Sequence, residues 1–434
     1  MNPVLLLVAA LGLVVAVLAA RELWRARGDE PWPRALAALL VTVLGVAHHS
    51  ELLPASSLPQ LAVVAGTGVA VLALLAGPPR WRTRPAVGAT TAVACVLGAC
   101  VVMFTVNVAQ NYVLGSGPLL GRVIPVAYWL LVLVLCSAGG LSRLLLVRAL
   151  VLTLGLVAVA VLLAPAPFRA CDQFKCGLLG ELLRGPFSSE NFLAMLAALA
   201  LVLLVGTRTG PSRVPAALLC LVLLVATGGR TSQLAAGLGV AALLAVRAVV
   251  RTLAAARATA RLVAVVLPAV CAAIGLWLIA TADAGSLSNR GAIWVRAREA
   301  LDGHEILGLG ISRWAGYDDL GPISQHFPHS TYLLLLFSGG AVALVLVLAA
   351  VGRAVAAAGP DDLAVSVGYA VVVLVLGLSE IVTNLMTVDG LTWVLLPLVA
   401  LGPARPAPGS PDAPTAPLST LVAAGARAGR TGVR

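Results

Sequence analysis

Residues 331–352 read Thr-Tyr-Leu-Leu-Leu-Leu-Phe-Ser-Gly-Gly-Ala-Val-Ala-Leu-Val-Leu-Val-Leu-Ala-Ala-Val-Gly, without one charged side chain. A helix of about 20 such residues crosses the roughly 30 Å hydrocarbon core of a bilayer. Comparable runs recur at 3–20, 35–53, 58–76, 86–106, 119–138, 144–164, 191–207, 214–228, 231–249, 262–281, 364–384 and 390–402. Composition agrees: 60% of the 434 residues are hydrophobic and 11% are charged, where soluble domains carry about 25% charged residues. Mean hydropathy is +1.02. The fold class expected is all-α, a polytopic transmembrane helical bundle of about 12–13 spans. A soluble enzyme with a single anchor is excluded.

Charge placement sets the expected orientation. The net charge of +11 is almost all arginine, since Lys175 is the only lysine, so the basic balance does not point to nucleic acid. Arginines gather at alternate connections: Arg21, Arg25, Arg27 and Arg34; Arg80, Arg82 and Arg84; Arg143 and Arg148; Arg208 and Arg213; Arg247, Arg251, Arg257 and Arg261; Arg353; and the tail from Arg405. The positive-inside rule makes those sides cytoplasmic, with the N-terminus outside and the C-terminus inside. The first span lacks a basic leader and runs straight into Arg21, which reads as an uncleaved span and not a signal peptide. Connections 107–118, 165–190, 228–230, 282–330 and 385–389 then face the extracytoplasmic side. The expected organisation is an N-terminal bundle of about ten spans over 1–281, a large extracytoplasmic loop with short helices over 282–330, C-terminal helices over 331–402, and a disordered cytoplasmic tail over 403–434.

Cys171 and Cys176 share one outside connection, a compartment that favours a disulfide over two free thiols; the other cysteines lie in apolar spans and act as small hydrophobes. Gly228-Gly229-Arg230 lacks the lysine and spacing of a phosphate loop, which disfavours an ATP-driven pump.

The largest outside loop holds the groups suited to chemistry. Ser288 is a candidate N-cap, and Ile293, Trp294, Ala297 and Leu301 recur at helical spacing up to Gly303. Arg290 falls in the first turn of that helix, where exposed backbone N–H groups and a planar guanidinium both suit phosphate oxygens. Trp294 is one turn on. Arg296 and Arg298 fit better as snorkelling residues. Gly308-Leu309-Gly310 reads as a turn. His329 stands at the start of the 331–352 helix, where a neutral imidazole can take a proton from a hydroxyl; Tyr332 is one turn below it, as a substrate contact or an aromatic-belt residue. His304 and His326 read as solvated loop histidines. Arg230 sits at the lip between two apolar spans. Asn191, in Phe187-Ser188-Ser189-Glu190-Asn191, serves as a headgroup donor or, more simply, a helix cap. Glu380, near the outer end of its span, calls for a cation, Arg230 or Arg290 by depth.

Together these residues resemble the O-antigen ligase and polymerase superfamily of membrane glycan transferases, over roughly residues 185 to 400. The resemblance runs in order through Phe187 to Asn191, Arg230 at a helix lip, Arg290 to Trp294, Gly308-x-Gly310, and His329 to Leu333 entering a span with Gly339-Gly340. It implies transfer of a glycan from a polyprenyl-pyrophosphate-linked saccharide to a glycan, lipid or protein hydroxyl at the outer face of the bacterial cytoplasmic membrane. Arg290 and Arg230 would bind pyrophosphate, His329 would activate the acceptor, and Tyr332, Trp294, Asn191 and Glu380 would line the substrate. No cofactor and no metal are expected, although Asp318-Asp319 is a weak counter-candidate for a cation. The chain has Ser330, Gly229 and Glu190 where the family often has Asn, Ser and Pro.

Three rivals remain at this level. A repeat-unit polymerase shares every residue named. A transferase using a monophosphate donor would rely on Glu51, which has no second acid nearby. A transporter would place charges at mid-membrane, whereas the polar groups here crowd the outer level.

Overall fold

The computed structural model describes residues 2–400 apart from 28–29, 53–57, 79–80, 82–86, 115–119, 139–140, 172–174, 178–179, 253–256, 287–289 and 316–327. Ser288, Asp318-Asp319, His326 and the tail from 403 therefore lie outside the described residues. In chain order the helices are α1 (Pro3–Ala26), α2 (Trp32–Leu39) continued through a π turn into α3 (Gly45–His48), α4 (Leu58–Ala76), α5 (Val87–Leu114), α6 (Leu120–Ser137), α7 (Arg143–Ala160), α8 (Glu190–Gly206), α9 (Arg213–Thr227), α10 (Arg230–Thr252), α11 (Arg257–Thr281), α12 (Arg290–Leu301), α13 (Ile311–Ala315), α14 (Thr331–Ala357), α15 (Pro360–Ser379) and α16 (Leu396–Val399). Two short antiparallel strands, β1 (Phe168–Ala170) and β2 (Glu181–Leu183), flank the cysteine pair. Seven helices are long and apolar enough to cross a membrane, and five shorter apolar ones accompany them among the described residues. The protein is a polytopic helical membrane protein.

Close packing follows small residues rather than large ones, as it does where lipid is as apolar as leucine. On α1, Gly12, Ala16 and Ala19 are buried, while Leu6, Leu7, Leu13 and Val17 on the other face are exposed. A Cβ at Gly155 of α7 would lie 2.6 Å from the backbone nitrogen of Ala16 and 2.8 Å from the Gly12 carbonyl oxygen. Helix ends are tied by arginine. Arg213 donates to the Leu204 and Val205 carbonyls, and Arg247 to that of Gly206, so both satisfy the free carbonyls that end α8. Buried Arg143 donates to Asp362 at 2.9 Å, to Ser366 Oγ at 3.0 Å and to the Pro397 carbonyl at 3.2 Å. Arg148 donates to the Thr209 carbonyl at 3.3 Å, so Arg143, Arg148, Arg213 and Arg247 collect at one end of the bundle.

The C-terminal stretch departs from the sequence reading. Residues 385–389 were expected as an exposed connection and 390–402 as a span. Instead 381–400 is an irregular, almost wholly buried segment with only a 3-10 turn (Thr392–Leu395) and α16. An apolar window reports composition and not backbone shape, and non-helical backbone is tolerated at membrane depth where protein surrounds it. Here Tyr369 donates to the Val394 carbonyl (2.9 Å), Cys100 to that of Leu385 (3.1 Å) and Arg143 to that of Pro397 (3.2 Å).

A second irregularity shapes the site. α14 breaks at Gly339-Gly340, and the freed N–H groups of Ala341 and Val342 donate to the carbonyls of Glu305 and Ile306 at 2.7 and 3.2 Å. In return Leu309 N–H donates to Phe337 at 2.7 Å. The 303–310 turn is thus stitched into the helix. Gly308 and Gly310, at φ +73° and +79°, make the turn that the sequence suggested. Gly340 has φ +64°, and a Cβ there would collide with the Ile306 carbonyl.

Two substitutions test this framework by thermal melting of purified protein. Gly155→Leu must push α1 from α7 and is expected to lower stability by roughly 1–3 kcal/mol. Gly340→Ala combines a positive φ with a backbone collision and is expected to cost about 1–3 kcal/mol and to open the 303–310 turn to protease; unchanged proteolysis there would contradict the stitched arrangement.

Candidate active site

The site grows from α12. Its helical run from Arg290 ends at Leu301, with Gly303 at φ +74° just beyond, as the periodicity predicts. At its N-terminal end Arg290 donates through Nη2 to Glu380 Oε1 at 2.8 Å and through Nη1 to the Ser379 carbonyl. Glu380 is therefore paired with Arg290, one of the two cations its depth suggested. Glu380 follows the last residue of α15, outside the helix. Burial pushes its carboxyl above the usual range, opposed by the charges of Arg290 and Lys175, while Glu190 adds to the rise. Arg290, Lys175 and Glu190 thus all lie within electrostatic reach of Glu380.

One turn further along α12, Trp294 is fully buried and its indole N–H donates to the Pro328 carbonyl at 2.8 Å. On the far side of His329, Ser330 caps α14 through a 3.4 Å bond from Leu333 N–H and donates to the Gly377 carbonyl at 3.2 Å. The N–H and hydroxyl of Thr331 both donate to the Glu380 carbonyl at 3.1 Å. His329 is held between these anchors at φ +47°, the only non-glycine with positive φ among the described residues. That conformation costs about 1–2 kcal/mol, which the neighbouring bonds offset. His329 is half-buried. Arg290 and His329 are thus brought to one corner through a shared partner, since Arg290 holds the Glu380 side chain and Thr331 holds its carbonyl.

Arg230 joins the corner through its neighbour. It is the exposed first residue of α10, and Thr231 Oγ1 accepts from Ser379 Oγ at 3.1 Å. The tight α9–α10 turn is built on Gly228, at φ +61°, and on Gly229, where a Cβ would lie 2.7 Å from that of Ala194.

A second charged group was not foreseen. Cys171 and Cys176 form the expected disulfide, and Lys175 within that loop donates to Glu190 Oε1 at 2.9 Å and to Asn191 Oδ1 at 2.6 Å. Arg169 on β1 lies 3.8 Å from Glu190 Oε2. Asn191 consequently does not cap α8. Ser189 does, its Oγ accepting from Asn191 N–H at 3.2 Å. The available signal was compositional: one lysine in an arginine-rich chain, next to a cysteine.

Other candidates fall elsewhere. Tyr332 is buried and donates to the Leu374 carbonyl at 2.9 Å, inside the α14–α15 contact. Trp294 is sealed in packing and positions the 328–330 turn. His304 is exposed on the 303–310 turn, with Nδ1 3.1 Å from the Asp302 carbonyl. Glu51 pairs with Arg184 at 3.4 Å beside an isolated bridge between Ser50 and Phe187. Among the described residues no three His, Cys, Asp or Glu side chains cluster as metal ligands.

Residues 215–348, from α9 to the second half of α14, match the O-antigen ligase family, Wzy_C. The match contains Arg230, Arg290, Trp294 and His329. No curated protein matches the chain. Over residues 215–348 the chain is thus similar to the O-antigen ligase family.

Proposed function

We propose that the protein moves a glycan from a polyprenyl-pyrophosphate donor to a hydroxyl acceptor at the extracytoplasmic face of the bacterial cytoplasmic membrane. The observation that carries this reading is the corner where Arg290, fixed by Glu380 and the Ser379 carbonyl, meets the strained turn at His329. The acceptor oxygen attacks the anomeric carbon, the bond from that carbon to the phosphate oxygen breaks, and the pyrophosphate leaves with the electron pair. The acceptor proton passes to the neutral imidazole of His329. Arg290 and Arg230 meet the charge growing on the departing phosphate, as fixed donors do best where water is scarce. Glu380 and Trp294 act one step back, holding Arg290 and the His329 turn. No step calls for a metal.

Transfer by the reconstituted protein, given a polyprenyl-pyrophosphate oligosaccharide in EDTA, is the test. Wild type is expected to act, and His329→Ala to lose about 100-fold or more while melting normally; Arg290→Ala is expected to lose at least as much and to melt lower, because it leaves the buried Glu380 without its partner. A ladder of product sizes marks a polymerase, and a single addition marks a ligase. Full activity of His329→Ala would remove the proposed base. Tyr332→Phe, by contrast, is expected to keep kcat and KM within about twofold and to lose about 1 kcal/mol of stability; a large loss of turnover in that variant would put its hydroxyl in the site after all.

A further inference from the structure

We propose that Lys175, presented by the Cys171–Cys176 loop, is a third cation of the donor's pyrophosphate site alongside Arg290 and Arg230. This rests on the functional reading above and adds a residue outside the 215–348 match.

Placement carries the argument. The disulfide closes five residues of sequence separation around Lys175, and β1 and β2 brace the loop on either side. The same loop leans on the turn that carries Arg230: a Cβ at Gly228 would lie 3.2 Å from Gly177 Cα and 3.3 Å from the Cys176 carbonyl. The ammonium meets Glu190 Oε1 and Asn191 Oδ1 at 2.9 and 2.6 Å, and its charge is felt at Glu380, the partner of Arg290. The Lys175 loop thus packs on the Arg230 turn, and its ammonium lies within electrostatic reach of the Arg290–Glu380 pair.

Charge and residue type agree with an anion-binding role. Of the residues named here, Arg169, Lys175, Arg230 and Arg290 are set against Glu190 and Glu380, which leaves two positive charges. A pyrophosphate diester carries two negative ones. Lys175 is the single lysine among the 29 lysines and arginines of the chain. An ammonium differs from a guanidinium in being a compact charge on a flexible stem, able to turn its donors from a carboxylate to a phosphate oxygen. Before the donor arrives, Glu190 and Asn191 keep the ammonium at the site and reduce its repulsion from Arg290.

The rival account is structural: Lys175 does no more than neutralise the buried carboxylate of Glu190. The experiment measures binding of polyprenyl pyrophosphate and of polyprenyl monophosphate to the full-length protein in nanodiscs, with melting temperatures alongside. Lys175→Met is expected to weaken pyrophosphate binding about 10- to 100-fold, the range for a lost charged hydrogen bond, and monophosphate binding by much less. Lys175→Arg is expected to recover most of the loss. The double variant Lys175→Met, Glu190→Gln removes the stranded carboxylate, and binding should stay weak although the melting temperature recovers. Reducing the disulfide should weaken binding in wild type and change little in Lys175→Met. Wild-type binding by the double variant, or by Lys175→Met itself, would overturn the proposal and leave Lys175 a structural counter-charge. A wild-type protein that does not prefer pyrophosphate to monophosphate would instead overturn the donor class on which the proposal depends.

Discussion

The bond between Arg290 and Glu380 ties the start of α12 to the end of α15. α12 lies outside the membrane helices, α15 is one of them, and Glu380 is where α15 ends and the irregular buried segment begins. A carboxylate this enclosed is costly unless it is paired, so Glu380 dictates where α12 begins and how it lies. The side chain holds Arg290 while the carbonyl of the same residue holds Thr331. One residue therefore fixes the two elements that carry the candidate chemistry. The pair is better understood as a device for position than as a source of net stability, since burying both charges offsets much of their attraction.

The same logic explains the two places where the bundle abandons regular helix. Backbone N–H and C=O groups at membrane depth need partners, and a helix supplies them locally. In 381–400 the partners come from Tyr369, Cys100 and Arg143 on surrounding helices. At Gly339-Gly340 they come from the backbone of 305–309. The second case has a functional consequence: the loop that carries α12 is bonded into α14 at its far end, while Trp294 holds it to the start of α14. His329 thus sits on a turn secured from both directions, as a base needs if it is to meet an acceptor at a fixed angle.

Much of this was readable from residue order, for identifiable reasons. Uniform apolar runs announce membrane helices, alternating arginines announce one end of the bundle, and the 3.6-residue spacing from Ile293 to Leu301 with Gly303 beyond it announced α12. Depth alone offered Glu380 two partners, Arg230 and Arg290, and Arg290 is the one it meets. What escaped were features that no period encodes. An all-apolar helix has no polar face to show which way each residue turns, so Tyr332 could not be told from a site residue, although it lies about 100° around the helix from Thr331 and bonds Leu374 instead. Windows of hydropathy could not see that 381–400 is irregular, because burial by protein and burial by lipid favour the same residues. Lys175 sits in a short loop whose geometry depends on a disulfide and on the α9–α10 turn behind it.

The presence of carboxylates in a corner proposed to bind an anion has a physical account. Four cations gathered without counter-charges would repel one another and spread, so each would meet the donor from an uncertain position. Glu190 and Glu380 remove that freedom, at the cost of some attraction for the incoming phosphate. The exchange favours catalysis over tight binding: a site whose donors are already aimed spends little on reorganisation as charge develops on the leaving group. An arginine corner without carboxylates would hold the bound donor as firmly as the transition state, and binding both equally gains nothing in turnover.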